Sequence, residues 1–277
     1  MTDIPCPICD SWNHRVFSRR GKNRVVICRD CDLYFVNPIT TDTSSSDAIA
    51  TSTKYTDDQL AKQDFFQHRA DVLLARIERR RPPGSLLDIG CAIGTELVAA
   101  KARGWACRGV ELSAASLAIA QSRGLDVLSE PLEDCNFAEE SFDLVTLNHV
   151  LEHVPRVELF LREVRRVLKK DGLLFIAVPN VHTWWFYLKR QRYNWAFNDD
   201  HYTHFSVRTL PKLLTTAGFN TVEISTSRWM DFHRPAHLYP APFRSLNRLV
   251  ERADLGIELF CLATRSADSC PDQFAAT

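Results

Sequence analysis

The sequence predicts an α/β protein: a doubly wound, mostly parallel sheet with a last antiparallel strand, preceded by a small metal-binding module. An apolar run at 85–89 suits a strand covered on both faces, and it leads into a turn that contains Gly90 and Gly94. Strand-like and helix-like runs alternate from there to residue 178. Two C-x2-C pairs stand near the beginning of the chain. In such sheets, ligands are expected at the carboxyl ends of the parallel strands.

The composition favours a cytoplasmic protein. The chain has 277 residues, 45% of them hydrophobic, enough for one large domain with an appended module. Its 34 basic and 34 acidic residues cancel, so no global field attracts nucleic acid or anionic lipid. No apolar run reaches the roughly 18 to 20 residues of a membrane span, and the polar start predicts no signal peptide. Nine cysteines, an odd number, indicate a reducing compartment.

Residues 1–38 are predicted to form a zinc ribbon. Eighteen residues separate its two pairs, which supply four thiolates for a tetrahedral site: Cys6, Cys9, Cys28 and Cys31. Four protein ligands leave no open position, so the zinc is expected to be structural. A redox pair is the alternative, but it predicts one such motif and not two. The ribbon also carries several arginines, which could touch RNA.

Residues 39–53 predict a linker, after which order returns near Tyr55. Helical spacing of apolar residues follows over 63–81 and stops at two prolines and a glycine. The alternating core then begins. Its predicted strands are 85–89, 106–111, 127–129, 142–147 and 173–178, and its predicted helices are 97–103, 114–123 and a stripe from 157 to 168 stopped by Gly172.

Five segments in this order resemble class I S-adenosylmethionine-dependent methyltransferases. They are D-I-G-x-x-x-G from Asp88, G-V-E-L-S from Gly109, S-F-D-L-V from Ser141, H-V-L-E-H-V from His149 and G-L-L-x-I-x-x-P-N from Gly172. The resemblance covers a domain at 54–265 with a Rossmann-like sheet, and Ala92 departs from a frequent middle glycine. It implies S-adenosylmethionine as cofactor, held by Asp88, Gly90, Ala92, Gly94, Glu111, Leu112, Leu132, Glu133 and Asn148.

The acids beside the glycine turn favour the same cofactor. Glu111, seventeen residues past Gly94, can accept hydrogen bonds from both ribose hydroxyls. Asp88 would repel a pyrophosphate, whereas S-adenosylmethionine has a sulfonium and an amino group and no phosphate. A nicotinamide-dependent dehydrogenase would also require G-x-G-x-x-G, which this turn lacks.

Three interpretations remain open for His149, Glu152 and His153, which follow a strand at its carboxyl end. They could cap the loop. One histidine could instead be the general base that deprotonates a substrate hydroxyl. The three could also bind a divalent cation, because similar ubiquinone-pathway O-methyltransferases carry Glu-x-x-Glu-His there, although His149 weakens the case for magnesium.

An aromatic segment at 181–208 is predicted to cover the acceptor, although its rings could merely pack an extra helix onto the core. The predicted acceptor contacts are Tyr55, Trp184, Trp185 and Tyr202. His201 and His204 interrupt the aromatic surface and are further base candidates. A strand at 219–225, a second insertion at 230–255, an antiparallel strand at 257–264 and a tail at 266–277 complete the chain.

The resemblance implies methyl transfer to a small-molecule acceptor, a carbohydrate or a secondary metabolite, with O-methylation assisted by a histidine. An rRNA or tRNA methyltransferase that binds RNA through the ribbon is the main alternative. A non-catalytic binding module of the same fold is another. The sequence leaves open whether the protein is a monomer or a homodimer.

Overall fold

The computed structural model describes residues 2–20, 23–39, 54–189, 200–226, 249–250 and 252–267. Its strands are β1 (His14–Arg20), β2 (Asn23–Cys28), β3 (Tyr34–Val36), β4 (Ser85–Ile89), β5 (Ala106–Val110), β6 (Val127–Leu128), β7 (Phe142–Asn148), β8 (Leu168–Pro179), β9 (Thr203–His204), β10 (Phe219–Thr226) and β11 (Glu258–Arg265). Its helices are α1 (Lys54–Ala61), α2 (Gln63–Glu78), α3 (Thr95–Ala102), α4 (Ala114–Ser122), α5 (Val157–Val167), α6 (Trp184–Lys189) and α7 (Thr209–Thr216).

The main sheet has seven strands in the order β10-β11-β8-β7-β4-β5-β6. Strand β4 pairs in parallel with β5 and β7, and β5 pairs in parallel with β6. The last strand, β11, is antiparallel to β10. This order confirms the predicted α/β fold with a mostly parallel sheet and a last antiparallel strand.

The described residues group into two compact units. The first contains residues 42–148 and 162–175, and its core is formed by buried strand residues such as Leu86, Leu87 and Leu144. Each of these side chains is fully buried, as expected for parallel strands covered on both faces. This unit carries the glycine turn and both predicted cofactor acids.

One predicted boundary in this unit is wrong. Helix α5 ends at Val167, and Gly172 lies inside β8 rather than stopping the helix. The carbonyls of Arg166 and Val167 accept the backbone amides of Glu140 and Ser141, at 3.0 and 2.9 Å. Because these amides satisfy the last helical carbonyls, the helix ends without a glycine cap.

The second unit contains residues 1–41, 149–161 and 176–277. A four-stranded sheet, β1-β2-β3-β9, joins the predicted ribbon to the aromatic segment. Tyr34 pairs with His204, and Phe35 pairs with Thr203. An apolar cluster packs around this sheet; its buried members are Val25, Ile27, Tyr34, Val36, Ile39, Val181, Phe186 and Tyr202. The ribbon therefore shares a sheet and a core with the later segment, so the boundary at residue 38 stays a prediction.

Several predicted segments lie outside the described residues. They include nearly all of the linker at 39–53, most of the insertion at 230–255 and most of the tail at 266–277. Within the described part of the chain, no helix is both long enough and apolar enough to cross a bilayer.

Candidate functional site

The glycine turn after β4 has a left-handed backbone at three of its residues. Gly90, Ala92 and Gly94 all have positive φ angles, 70°, 50° and 77°. A Cβ atom added at Gly94 would be strained by the left-handed φ angle and would lie 2.2 Å from Leu125 Cδ1, so glycine is favoured at the start of α3. Ala92 adopts the same left-handed region with a side chain present, which explains why glycine is frequent at this position in similar proteins.

Glu111 binds the turn itself. Its Oε2 atom accepts the amide of Ala92 at 2.7 Å, and its Oε1 atom accepts the amide of Ser113 at 2.7 Å. Burial raises the pKa of Glu111, while these backbone hydrogen bonds oppose the shift. Each carboxylate oxygen can still accept another hydrogen bond. The predicted contact with ribose hydroxyls stays a prediction, and the structure adds a role in holding the turn.

Asp88 and Glu96 bring two more carboxyl groups to the same edge of the sheet. Asp88 accepts the hydroxyl of Thr146 at 2.9 Å, and Glu96 Oε2 accepts the side-chain amide of Asn148 at 2.5 Å. Burial first, and then the charge of Glu96, raise the pKa of Asp88 well above 3.8. Burial also raises the pKa of Glu96 to about 7. Such a set of buried acids favours a cationic ligand.

Glu96 is a candidate site residue that the sequence does not predict. Its Oε1 atom is buried and has no hydrogen-bond partner among the described residues, and the same holds for Thr95 Oγ1. An acid in the first turn of the helix that follows the glycine turn was the available signal. Charged acceptors at a helix start are usually ascribed to the helix dipole, and this masked a second possibility.

The remaining predicted cofactor residues follow neighbouring strands. Leu112 comes after β5 and is 42% exposed. Leu132 and Glu133 lie in a short 3-10 turn after β6, where Leu132 is buried and Glu133 is exposed. Their contact with adenine stays a prediction.

The second unit holds the candidate bases. His149 Nδ1 lies 3.2 Å from Glu152 Oε1, and His149 Nε2 lies 2.6 Å from Glu258 Oε1. Although burial lowers its pKa, the hydrogen bonds to Glu152 and Glu258 raise the pKa of His149 to about 10. His149 is therefore a cation at neutral pH, engaged on both ring nitrogens. This arrangement argues against its predicted role as a general base.

The other three histidines lie together. The rings of His153 and His201 stand nearly perpendicular with centroids 4.7 Å apart, and the His204 centroid lies 6.2 Å from that of His201. His153 Nδ1 lies 3.1 Å from the carbonyl oxygen of Asp200. His201 and His204 are buried. The structure thus brings together residues that are 48 and 51 positions apart in the sequence.

The residues predicted to contact the acceptor differ in their burial and surroundings. Tyr55 is exposed and its hydroxyl accepts the amide of Gln59 at 2.9 Å. Tyr202 is buried in the apolar cluster of the four-stranded sheet, where it packs rather than offers a surface. Trp184 is half-buried, and the side chain of Trp185 lies outside the described residues. A role for any of them toward an acceptor stays a prediction.

The four ribbon cysteines form one cluster. One sulfur from each lies within 4.8 Å of the others, and none is in a disulfide. The Sγ atoms of Cys6 and Cys31 are 3.4 Å apart, and those of Cys9 and Cys28 are 3.6 Å apart. Sulfurs at about 2.3 Å from a tetrahedral zinc ion would be about 3.8 Å apart, so the cluster is compatible with zinc.

A family model described as a methyltransferase domain matches residues 61–224 of the chain. The chain belongs to the class I S-adenosylmethionine-dependent methyltransferases. The matched region contains the glycine turn, all three acids and the candidate bases, which confirms the resemblance predicted from the sequence.

Three similar proteins illustrate the family. A ubiquinone biosynthesis O-methyltransferase of Glaesserella parasuis is 31% identical over 34% of this chain and 45% of its own length. A "Probable S-adenosylmethionine-dependent methyltransferase" of Mycobacterium tuberculosis is 27% identical over 66% of each chain. The chain thus spans less than two thirds of the length of these relatives.

A solved structure shares the fold. The 1,6-didemethyltoxoflavin-N1-methyltransferase of Burkholderia thailandensis, with bound 1,6-didemethyltoxoflavin and S-adenosylhomocysteine, matches with a TM-score of 0.56 at 17% identity. The match covers 92% of this chain and 99% of that one. At this identity the likeness concerns the fold alone.

Proposed function

We propose that the protein transfers the methyl group of S-adenosylmethionine to a small-molecule acceptor, at a hydroxyl of a carbohydrate or secondary metabolite. The observation that carries this proposal is the set of acids around the glycine turn: Asp88 and Glu111 are buried, and Glu96 is half-buried with a buried Oε1 atom. When bound, the cofactor supplies a methyl group already activated by a sulfonium. Its sulfonium and ammonium groups suit these acids, whose described hydrogen bonds come from the uncharged donors Thr146, Asn148, Ala92 and Ser113.

The roles of the chain's residues follow from their chemistry. Glu111 would accept the ribose hydroxyls while it holds the turn through Ala92 and Ser113. Glu96 has a free carboxylate oxygen and would take the cofactor's ammonium group, with Asn148 beside it. Leu112 would border the adenine together with the turn at 132–133. In-line methyl transfer mainly requires that the acceptor and the methyl group are aligned. Contacts that position the cofactor would therefore account for much of the rate acceleration.

The nature of the acceptor is supported by charge and by the relatives. Zero net charge gives no general attraction to RNA phosphates. The ubiquinone biosynthesis O-methyltransferase that the chain resembles is named for a small-molecule pathway. A small molecule therefore fits better than rRNA or tRNA, which would use the ribbon arginines.

In this proposal, a histidine of the cluster is the general base that removes the proton of the acceptor hydroxyl. His153, His201 and His204 are the candidates, because His149 already carries a proton between two carboxylates. Each of the four is changed singly to Gln and single-turnover rates are measured. We expect His149→Gln to affect stability more than rate, and one of the others to lower the rate by about 100-fold. Normal rates in all four variants would mean that alignment alone suffices.

The cysteine cluster is proposed to bind structural zinc through Cys6, Cys9, Cys28 and Cys31. The donor set is closed, with four sulfur ligands and spacings near those of a tetrahedral site. Metal binding would stabilise a small ribbon, whose apolar core is shared with the aromatic segment.

The proposed function is tested by following S-adenosylhomocysteine release. The full chain is incubated with S-adenosylmethionine and, in parallel, hydroxylated sugars, phenolic metabolites, or rRNA and tRNA. We expect turnover with a small molecule only. Methyl incorporation into RNA that weakens steeply with salt would overturn the acceptor class. Absence of cofactor binding would favour a non-catalytic module.

A further inference from the structure

Three donor side chains outside the cofactor site converge in the second unit. They belong to Glu152, His153 and His201, and one donor atom from each lies within 4.8 Å of the other two. Within the described part of the chain, the ribbon cysteines form the other such group. Glu152 and His201 are buried, and His153 is half-buried.

Glu152 has an unexplained oxygen. Its side chain is 1% exposed, and its Oε1 atom faces His149 Nδ1 at 3.2 Å. Its Oε2 atom is buried and has no hydrogen-bond partner among the described residues. Leaving a buried carboxylate oxygen without a partner costs free energy of folding. A cation bound at Oε2 removes that cost.

His153 is oriented as a ligand. A carbonyl oxygen only accepts, so the 3.1 Å contact with Asp200 puts the proton on His153 Nδ1. The Nε2 atom then carries a lone pair. Metal-bound histidines typically donate their other ring nitrogen to a carbonyl or carboxylate in this way. The ring of His201 stands across that of His153 at 4.7 Å.

His149 is not part of this group, although it is close in sequence. Both of its nitrogens contact carboxylates, on Glu152 and Glu258, so neither has a lone pair to offer. The third ligand instead comes from His201, which backbone hydrogen bonds hold nearby: the Tyr202 amide donates to the Glu152 carbonyl at 2.7 Å.

We propose that Glu152, His153 and His201 bind one divalent first-row transition-metal ion, such as Zn²⁺, Fe²⁺ or Co²⁺. Two imidazoles with one carboxylate suit these ions better than Mg²⁺ or Ca²⁺, which prefer oxygen ligands. Bonds of about 2.0 to 2.2 Å would draw the donors to roughly 3 to 3.5 Å from one another, a small side-chain movement. Three protein ligands leave a position for water or for an oxygen of a substrate.

An oxygen ligand in the open position defines the class of molecule that this site accepts. A hydroxyl bound there would have a lowered pKa and would lose its proton more easily to solvent water. In the proposed reaction, the three residues would then assist the acceptor hydroxyl through the metal instead of one histidine acting as the base. Metal binding itself does not depend on methyl transfer, so it is measured without cofactor or acceptor.

The test is a Co²⁺ titration of the full chain after its cysteine site has been filled with one equivalent of zinc. We expect one further equivalent of Co²⁺ to bind, with weak visible bands and no sulfur charge-transfer band. Glu152→Gln and His201→Ala are each expected to weaken this binding at least 30-fold. His68→Ala removes an exposed histidine from α2 and is the matched control that keeps the second equivalent.

Two results would overturn the site: no second equivalent in the wild-type chain, or an unchanged affinity in both variants. Melting temperatures are recorded for every variant. Should His201→Ala fail to fold, Glu152→Gln decides, because it keeps the size of the side chain and removes its charge.

Discussion

At the residue scale, Glu111 links the second strand of the core to the glycine turn through both carboxylate oxygens. The spacing of Glu111 to Gly94 predicts that this acid contacts the cofactor ribose. It does not predict that the acid also binds the Ala92 amide. That contact depends on the positive φ angle of Ala92, which spacing alone does not determine. The carboxylate is thus both a cofactor ligand in our proposal and part of the scaffold.

Replacing Glu111 by Gln is expected to weaken S-adenosylmethionine binding by about 1 to 3 kcal/mol. A glutamine amide can accept only one of the two backbone amides, so the melting temperature should also fall. Calorimetric titration and thermal melting measure the two effects. Glu139→Gln, at an exposed acid, is the control and should change neither. Unchanged affinity in Glu111→Gln would remove this residue from the site.

The folded protein is expected to be less stable with alanine at position 92 than with glycine there. The φ angle of 50° at this position costs an alanine about 1 to 2 kcal/mol, and the extra freedom of an unfolded glycine offsets part of this. Ala92→Gly should therefore raise the free energy of unfolding by about 0.5 to 1 kcal/mol. The control Ala118→Gly, on the exposed face of α4, should lower it by about 1 kcal/mol. Denaturant unfolding of both variants gives the comparison, and a loss of stability in Ala92→Gly would contradict the account.

Glu96 is expected to make the stability of the protein without cofactor depend on pH. Burial raises the pKa of Glu96 from 4.5 to about 7, while Thr146, Asn148 and Arg69 oppose the shift. The folded state therefore holds a proton that the unfolded state releases between these pH values. This contribution to stability is present below about pH 4.5 and is lost as the pH rises to about 7.

Glu96→Gln should flatten the change in stability over that window relative to wild type. Cofactor binding should release a proton, because a cation favours the ionised carboxylate. Calorimetry in two buffers of different ionisation enthalpy, near pH 6.5, measures the release. Equal proton release by wild type and Glu96→Gln would show that another group titrates.

At the scale of elements, the parallel strands were the easiest to predict and the helix ends the hardest. Strand β4 was predicted with its observed bounds, because a strand covered on both faces carries a continuous apolar run. The predicted end of α5 was wrong, because amides from a distant loop bind its last carbonyls and no local glycine motif is needed. Such pairing between distant segments leaves no local signal in the sequence.

Strand β9 shows the same limit. Its two residues, Thr203 and His204, pair with β3 of the ribbon, and the amide of Val36 donates to the carbonyl of Tyr202 at 2.8 Å. The sequence predicts His204 as a candidate base, but it does not predict that a ribbon strand supports this residue. The cysteine ribbon is therefore part of the framework of the histidine cluster.

Removal of zinc is expected to destabilise strand β3 and residues 202–204 together. Hydrogen exchange should speed up at β3 and also at residues 202–204, because these amides and carbonyls share one sheet. Exchange in β4 should change far less, since the core of the first unit has its own buried strands. Mass spectrometry of peptides from the zinc-loaded and chelated chain measures this. Unfolding of the ribbon with unchanged exchange at 202–204 would contradict the coupling.

At the scale of the whole molecule, the sequence predicted the fold class, the family and the cysteine cluster, because each depends on local patterns repeated in order. It did not predict Glu96 as a site residue, or that His149 is bound between two acids. These properties arise from segments that meet only after folding, such as β11 contributing Glu258 to His149. Charge and burial at such meeting points decide the chemistry of a side chain.

The most direct test of the central claim is a calorimetric titration of the full chain with S-adenosylmethionine, followed by competition with S-adenosylhomocysteine. The account predicts one site per chain, competition between the two compounds, and weaker binding in both Glu111→Gln and Glu96→Gln. Because Glu96 is proposed to bind the ammonium group that both compounds carry, Glu96→Gln should weaken the binding of both. Absence of saturable binding by the wild-type chain would contradict the account.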